Sequence, residues 1–200
     1  MPTPHLPIMV FDQDKLSPSL GYVFDPTWLD PCESLLSMLW KFAHMNRIPG
    51  HKLTAYVAKI EGDPYLGIAA TRANLDLKKL ATSLNISLKR VRIAIGRTDT
   101  WRPWCDELRF CTRCMARGYH SVAHQLSTER RCPIHGQWLN TQCICGKSSA
   151  YHLDAHVLGA PFRCAHCRRP YSGRTPSFVH RQPLNTAQRA AISRASFGWS

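Results

Sequence analysis

The chain has 200 residues, 44% of them hydrophobic and 20% charged, with 26 Lys and Arg against 13 acids and a formal charge of +13. That length suits one large domain or two small ones, and no run approaches the roughly 20 apolar residues of a membrane-spanning helix. The first residues lack the basic-then-apolar pattern of a secretory signal, so the expected compartment is the reducing cytoplasm, where paired cysteines serve as metal ligands more often than as disulfides.

Residues 1–29 are Pro-punctuated and irregular. Asp30-Pro31-Cys32-Glu33 then reads as a helix start, with Asp30 as cap, Pro31 at the first helical position and Glu33 reaching back. Leu35, Leu36, Met38, Leu39, Phe42 and Met45 recur at helical spacing as far as Asn46, and Pro49-Gly50 reads as the terminator. A second helix is expected over about 52–60. Asp76 to Gly96 has the pattern of a helix-turn-helix unit. Small Ala81 permits a close crossing, Asn85 suits a left-handed turn, Ser87 caps the second helix, and Leu84, Ile86, Leu88 and Val91 face inward. On that second helix Lys89, Arg90 and Arg92 are candidate nucleic-acid contacts, although many such helix pairs only pack. The expected helical domain is 30–98.

Residues 99–110 read as a linker anchored by Trp101 and Trp104. Eight potential ligands then follow in four tight pairs: Cys111-x2-Cys114, Cys132-x2-His135, Cys143-x-Cys145 and Cys164-x2-Cys167. Two such turns close a four-coordinate tetrahedral shell with no open position, so eight donors make two structural Zn2+ sites. The simplest grouping is sequential, with loops of 17 and 18 residues inside the two sites. A cross-brace, pairing the first turn with the third and the second with the fourth, remains open from spacing alone. A first site made of Cys111, Cys114, His120 and His124 is disfavoured because it strands Cys132 and His135. Cys32 and Cys105 are left over, as buried thiols. The expected zinc-binding domain is 111–172, and a segment so short needs metal to fold.

The charge is uneven. Residues 1–100 carry 12 Lys and Arg against 9 acids, whereas residues 101–200 carry 14 against 4, all but Lys147 being Arg. Seven thiolates and two Zn2+ bring the chain to about +10, still basic enough to attract phosphate backbones. Arg163, Arg168, Arg169 and Arg174 are the candidate contacts there. The tail, 173–200, has no acid and little periodicity, and reads as a mobile or interacting arm.

The run CTRCMARGYHSVAHQLSTERRCPIHGQWLNTQCICGK, followed by FRCAHCRRPY, resembles the TniQ family of transposition target-selection proteins. So does Glu33-Ser34-Leu35-Leu36-Ser37 ahead of it. The resemblance covers roughly 26–172. It implies a helix-turn-helix unit, two tandem zinc sites on the eight residues named above, and a bacterial, DNA-associated adaptor of Tn7-like or CRISPR-associated transposons. Such an adaptor joins a target-recognition module, in some members an RNA-guided CRISPR effector with its guide RNA, to the AAA+ ATPase TnsC that recruits the transposase. Members of the TnsD kind instead read attachment-site DNA themselves. In length the chain looks like the family's short form, which favours the adaptor role over autonomous site reading.

The residues themselves point away from catalysis. Both shells are closed, no acid cluster suits two-metal chemistry, and His120, Ser121 and His124 read as hydrogen-bonding core residues rather than a catalytic group. Against a RING scaffold stands the order of the pairs, with His in the second pair and C-x-C third. A transcription regulator using residues 76–96 is a further alternative. The expected architecture is thus α-rich and small, a helix-turn-helix-like domain followed by a tandem zinc-ribbon-like domain.

Overall fold

The structure is a computed structural model, and it describes residues 21–96, 103–179 and 181–197. Among these residues there are seven α-helices and no named strand. Extended chain is held together instead by isolated antiparallel bridges such as Phe110 with Asn140 and Ile68 with Leu153.

Helix α1 spans Leu35–Asn46 and buries every residue from Leu35 to Ala43. A helix buried all round belongs at the centre of a fold, and α1 is that centre. Its cap is Ser34, whose hydroxyl accepts from the Ser37 N–H at 3.2 Å, not Asp30. Glu33 does reach back to the Asp30 N–H, at 2.9 Å, but Cys32 takes a φ of 51°. That left-handed residue makes Asp30–Glu33 a separate turn ahead of the helix. The end of α1 also differs from expectation. Arg47, at φ 51°, terminates it, and Pro49-Gly50 opens α2, Gly50–Val57, rather than closing α1. Gly50 is required there by packing: a Cβ would lie 2.0 Å from the Ala155 carbonyl oxygen.

Helices α3, Leu77–Ser83, and α4, Leu88–Ile95, are capped by Asp76 and Ser87. Asn85 turns between them at φ 48°. Leu84 and Val91 are fully buried, whereas Ile86 and Leu88 are half-buried.

The other half carries two single-turn helices, α5 at Thr112–Ala116 and α6 at Ala155–Leu158, and a 3-10 turn at Val122–Gln125. Residues 103–110, in the expected linker, are pinned on both sides. Cys105 N–H donates to Gln125 O, Leu108 N–H to Ser149 O and Phe110 N–H to Asn140 O, each at 2.8 Å. One hydrophobic core runs through both halves, joining Leu35, Leu39 and Trp40 of α1 to Leu108, Phe110, Leu158, Phe162 and Phe178. The Trp40 indole N–H donates to the Val157 carbonyl at 2.7 Å, tying α1 to α6.

The tail departs from its reading as an arm without periodicity. It forms α7, Thr186–Phe197, with Ile192 fully buried against Cys32 and Val122. Asn185 and Gln188 cap it reciprocally, each side chain accepting from the other's backbone N–H, at 2.9 and 3.1 Å. Of the aromatic anchors, Trp104 packs on the core, while Trp101 lies outside the described residues.

Candidate metal centres

The four ligand pairs come together sequentially. Cys111, Cys114, Cys132 and His135 form one cluster and Cys143, Cys145, Cys164 and Cys167 the other, the donor atoms of each lying within 4.8 Å of one another. The cross-brace is therefore absent. Local geometry prepares each turn. Cys111 caps α5, and its sulfur accepts from the Cys114 N–H at 3.5 Å. The other three turns each end on a left-handed residue directly after the second ligand: Gly136 at φ 66°, Gly146 at 78° and Arg168 at 60°. Each also closes with a backbone bond to the first ligand's carbonyl, Gly136 to Cys132, Gly146 to Cys143 and Arg168 to Cys164.

The donor spacing fits a tetrahedral cation. Metal–sulfur bonds of about 2.3 Å and metal–nitrogen bonds of about 2.0 Å place S···S edges near 3.8 Å and S···N edges near 3.5 Å. In the first cluster Cys114 and Cys132 sulfurs are 3.6 Å apart, and His135 Nδ1 lies 3.3 Å from Cys111 and Cys114 and 3.6 Å from Cys132. In the second, Cys143–Cys167 and Cys145–Cys164 are 3.7 and 3.8 Å apart. A disulfide needs about 2.05 Å, and all nine cysteines are free.

The crowding of the sulfurs shifts their ionisation in opposite directions. Burial, then the neighbouring Cys111 and Cys132, hold the Cys114 thiol well above its ordinary value, while hydrogen bonds from Cys111 and Cys114 push Cys132 down. In the second cluster the Arg169 backbone N–H, foremost, lowers Cys167 to about 7. Crowded sulfurs ionise together only when a divalent ion balances them. Two such ions, one per cluster, match the donor sets, and the fourth donor completes each shell.

The two loop histidines serve next to the first cluster rather than in it. His120 is fully buried, its Nε2–H donating to the Arg109 carbonyl at 2.8 Å and its Nδ1 accepting from the Ser34 hydroxyl at 2.7 Å. Both nitrogens are thus used, and burial foremost lowers its pKa to about 3, keeping the ring neutral. His124 Nδ1 accepts from the Ser121 N–H at 3.3 Å in a capping box beside the first cluster. Outer contacts of this kind orient metal ligands.

A buried polar network joins this loop to α1. The Ser37 hydroxyl donates to Glu33 at 2.6 Å and accepts from the His120 N–H at 3.2 Å. Lys41, fully buried, pairs with Glu33 at 2.5 Å and donates to the Trp28 carbonyl at 2.6 Å. Burial is the largest cause lowering Lys41 to about 8, with Glu33 opposing it. Asp30 in turn holds Arg117 at 3.1 Å and Arg181 at 3.0 Å. Sequence reasoning missed Lys41 and the Asp30 cluster, because a Lys at helical spacing gives no sign that it faces inward.

The candidate nucleic-acid contacts are dispersed. Lys89 and Arg92 stand exposed on α4, but Arg90 is half-buried and donates to the Leu29 carbonyl at 3.0 Å. In the second metal loop Arg163 donates to the Arg168 carbonyl at 3.2 Å and Arg168 to the Gly159 carbonyl at 3.1 Å. Arg169 and Arg174 are exposed.

No protein-family model matches the chain, and comparison with curated proteins finds no match. Among the described residues no helix is long and apolar enough to cross a membrane.

Proposed function

We propose that this chain is a non-catalytic adaptor in DNA transposition, its two metal shells filled by Zn2+. It links a target-recognition module, such as an RNA-guided CRISPR effector, to a TnsC-like AAA+ ATPase that recruits the transposase. One observation carries the reading. The two separate stretches that resemble the TniQ family, Glu33–Ser37 and the GYHSVAHQL loop, meet through the Ser34–His120 hydrogen bond of 2.7 Å and the Ser34 N–H to His120 carbonyl bond of 2.8 Å. The resemblance treats them as one signature, and their contact supports that treatment. The four protein donors in each cluster leave no coordination position for a substrate, which favours a scaffold over an enzyme.

Affinity purification of the chain with the AAA+ ATPase of its own locus, in low salt with ATP present, is expected to recover a complex. Repeated failure to recover one, with both proteins folded and metal-loaded, would remove the adaptor role. The exposed Lys89 and Arg92 favour a second reading, a direct DNA reader of the TnsD kind or a helix-turn-helix transcription regulator. Submicromolar binding to one short duplex that survives roughly 0.2 M salt would select it.

A further inference from the structure

A groove of about 1050 Å³ runs between the end of α1, the start of α2 and α6. His44 and Arg47 enter it from α1, His51 from α2, Tyr65 from the loop that follows, and His156 and Arg168 from α6 and the second metal loop. All six side chains belong to exposed residues, and no Asp or Glu lines the groove. The nearest carboxylates in sequence do not line the groove and are occupied with backbone N–H groups. Asp154 accepts from the His156 and Val157 N–H groups at 2.7 and 2.8 Å, and Asp63 accepts from the Tyr65 N–H at 2.8 Å. We propose that this groove binds the sugar-phosphate backbone of a single-stranded nucleic acid, with a base resting on Tyr65.

Two features separate this from a merely basic surface. His44 and Arg47 alone would be accounted for by the negative end of the α1 dipole. His51, His156 and Arg168, however, converge on the same space from three other places in the chain, where that dipole gives no reason for them. Arg168 spends one guanidinium nitrogen on the Gly159 carbonyl, which fixes the group at the rim and leaves its other N–H donors for phosphate oxygens. The second feature is aromatic. Tyr65 is 55% exposed, and its ring meets the His156 ring at 5.3 Å and 57°, a tilted contact. Two guanidinium groups and three imidazoles, all able to meet phosphate oxygens, beside an aromatic platform match the arrangement by which single strands are held without sequence readout. An acidic peptide would use the cations and leave the Tyr65 face without a partner. The site adds to the adaptor reading and rests on it only for the biological source of the strand.

The test is fluorescence anisotropy of the full-length, metal-loaded protein with labelled 12-nucleotide RNA, the same DNA strand and the corresponding duplex, across roughly 50–200 mM salt. Arg47→Glu is expected to weaken single-strand binding about tenfold and to flatten the salt slope by about 0.7 per lost phosphate contact. Arg47→Asn keeps a residue that tolerates the left-handed backbone and should show the same flattening if the charge reversal disturbs folding. Tyr65→Ala should weaken binding at least about fivefold, as loss of one stacked base does, while Lys59→Glu, at an exposed position that does not line the groove, leaves it unchanged. Preference for RNA, for DNA, or for neither assigns the source of the strand and supports the site in each case. The proposal is overturned if the wild-type chain binds neither strand, if the duplex binds better, or if folded Arg47 and Tyr65 variants bind as well as wild type. It is equally overturned if polyglutamate displaces the strand at matched charge while Tyr65→Ala has no effect, which would make the groove a seat for acidic protein. ATPase co-purification of the same variants reports on the adaptor role separately.

Discussion

Replacing Cys114 by Ser should unfold the helical half along with the metal half. The Cys114 sulfur lies 3.6 Å from Cys132 and 3.3 Å from His135, at the buried centre of the first cluster. Structural zinc contributes roughly 10–16 kcal/mol to folding in small metal domains, against a typical total stability of about 5–15 kcal/mol. Losing the first ion therefore suffices to unfold whatever depends on it. The first cluster's cysteines sit in a smaller core that meets the main one at Trp104, and the main core sets how far the damage spreads. Leu108, Phe110, Leu153, Val157, Leu158, Phe162 and Phe178 pack in the same cluster as α1. At about 1.5–3 kcal/mol for each buried side chain, their loss removes on the order of 10–20 kcal/mol of partners from that core. Hydrogen-exchange mass spectrometry, with metal content measured on the same samples, reads the outcome directly. Amides of α1 should lose protection together with those of 111–172, in one transition, in Cys114→Ser and in chelated wild type alike. Wild-type protection of α1 beside an exchanged metal region would refute the single-core reasoning and restore two independent domains.

The buried ion pair yields a double-mutant prediction: Lys41→Met alone strands the Glu33 carboxylate and should cost about 3–5 kcal/mol, whereas Glu33→Gln with Lys41→Met should recover most of it. Equal denaturant midpoints for the single and double variants would show that the pair is not coupled. Lys41 also predicts a pH dependence, because its folded value of about 8 lies below the roughly 10.4 of free lysine. The folded state then binds fewer protons than the unfolded one between those values, so the penalty is complete below about pH 8 and is relieved as pH rises towards 10.4. Wild-type stability should accordingly gain on that of the double variant across pH 8–10, by urea unfolding of the metal-loaded proteins. Gly50→Ala puts a Cβ 2.0 Å from the Ala155 carbonyl and 2.6 Å from the Gly159 nitrogen, both backbone atoms that cannot rotate away. It should destabilise by about 1–3 kcal/mol through forced separation of α2 from α6, and an unchanged thermal midpoint would contradict that close crossing.

The ligand pairs were legible in the sequence because tight chelating turns are local, and each carries its own spacing. Their sequential grouping was only the simpler of two options on paper, since nothing local says which turns share an ion. The α3–α4 pair was legible for the same reason: Asp76, Asn85 and Ser87 act within their own turns. The start of α1 was misplaced because Asp30-Pro31-Cys32-Glu33 satisfies a capping pattern that Cys32, at φ 51°, diverts into a turn. Helix α7 carried a readable signal in Asn185-x-x-Gln188, obscured by its weak amphipathic pattern. Only Ile192 of that helix is fully buried. The groove was invisible, for its six residues are scattered from 44 to 168 and only the fold collects them.

A helix buried on all sides raises a problem that hydrophobicity alone does not solve. From Leu35 to Ala43 every residue of α1 is buried, so apolar packing gives little preference for one rotation or depth over another. Polar contacts from several directions supply that preference. Ser34 meets His120, Ser37 meets Glu33 and the His120 N–H, Trp40 meets the Val157 carbonyl, and Lys41 meets Glu33 and the Trp28 carbonyl. A slip of one residue would break all of these at once and leave buried donors and charges without partners, each costing about 1–3 kcal/mol or more. The metal clusters and this network therefore act on different quantities. An ion in each cluster would supply stability that a small basic chain lacks, and the network fixes how the central helix sits against the loop of the first cluster. His120 belongs to that loop and Ser34 caps that helix, so their 2.7 Å hydrogen bond ties the loop to α1, while Gly50 packs on the Ala155 and Gly159 backbone at the wall of the groove.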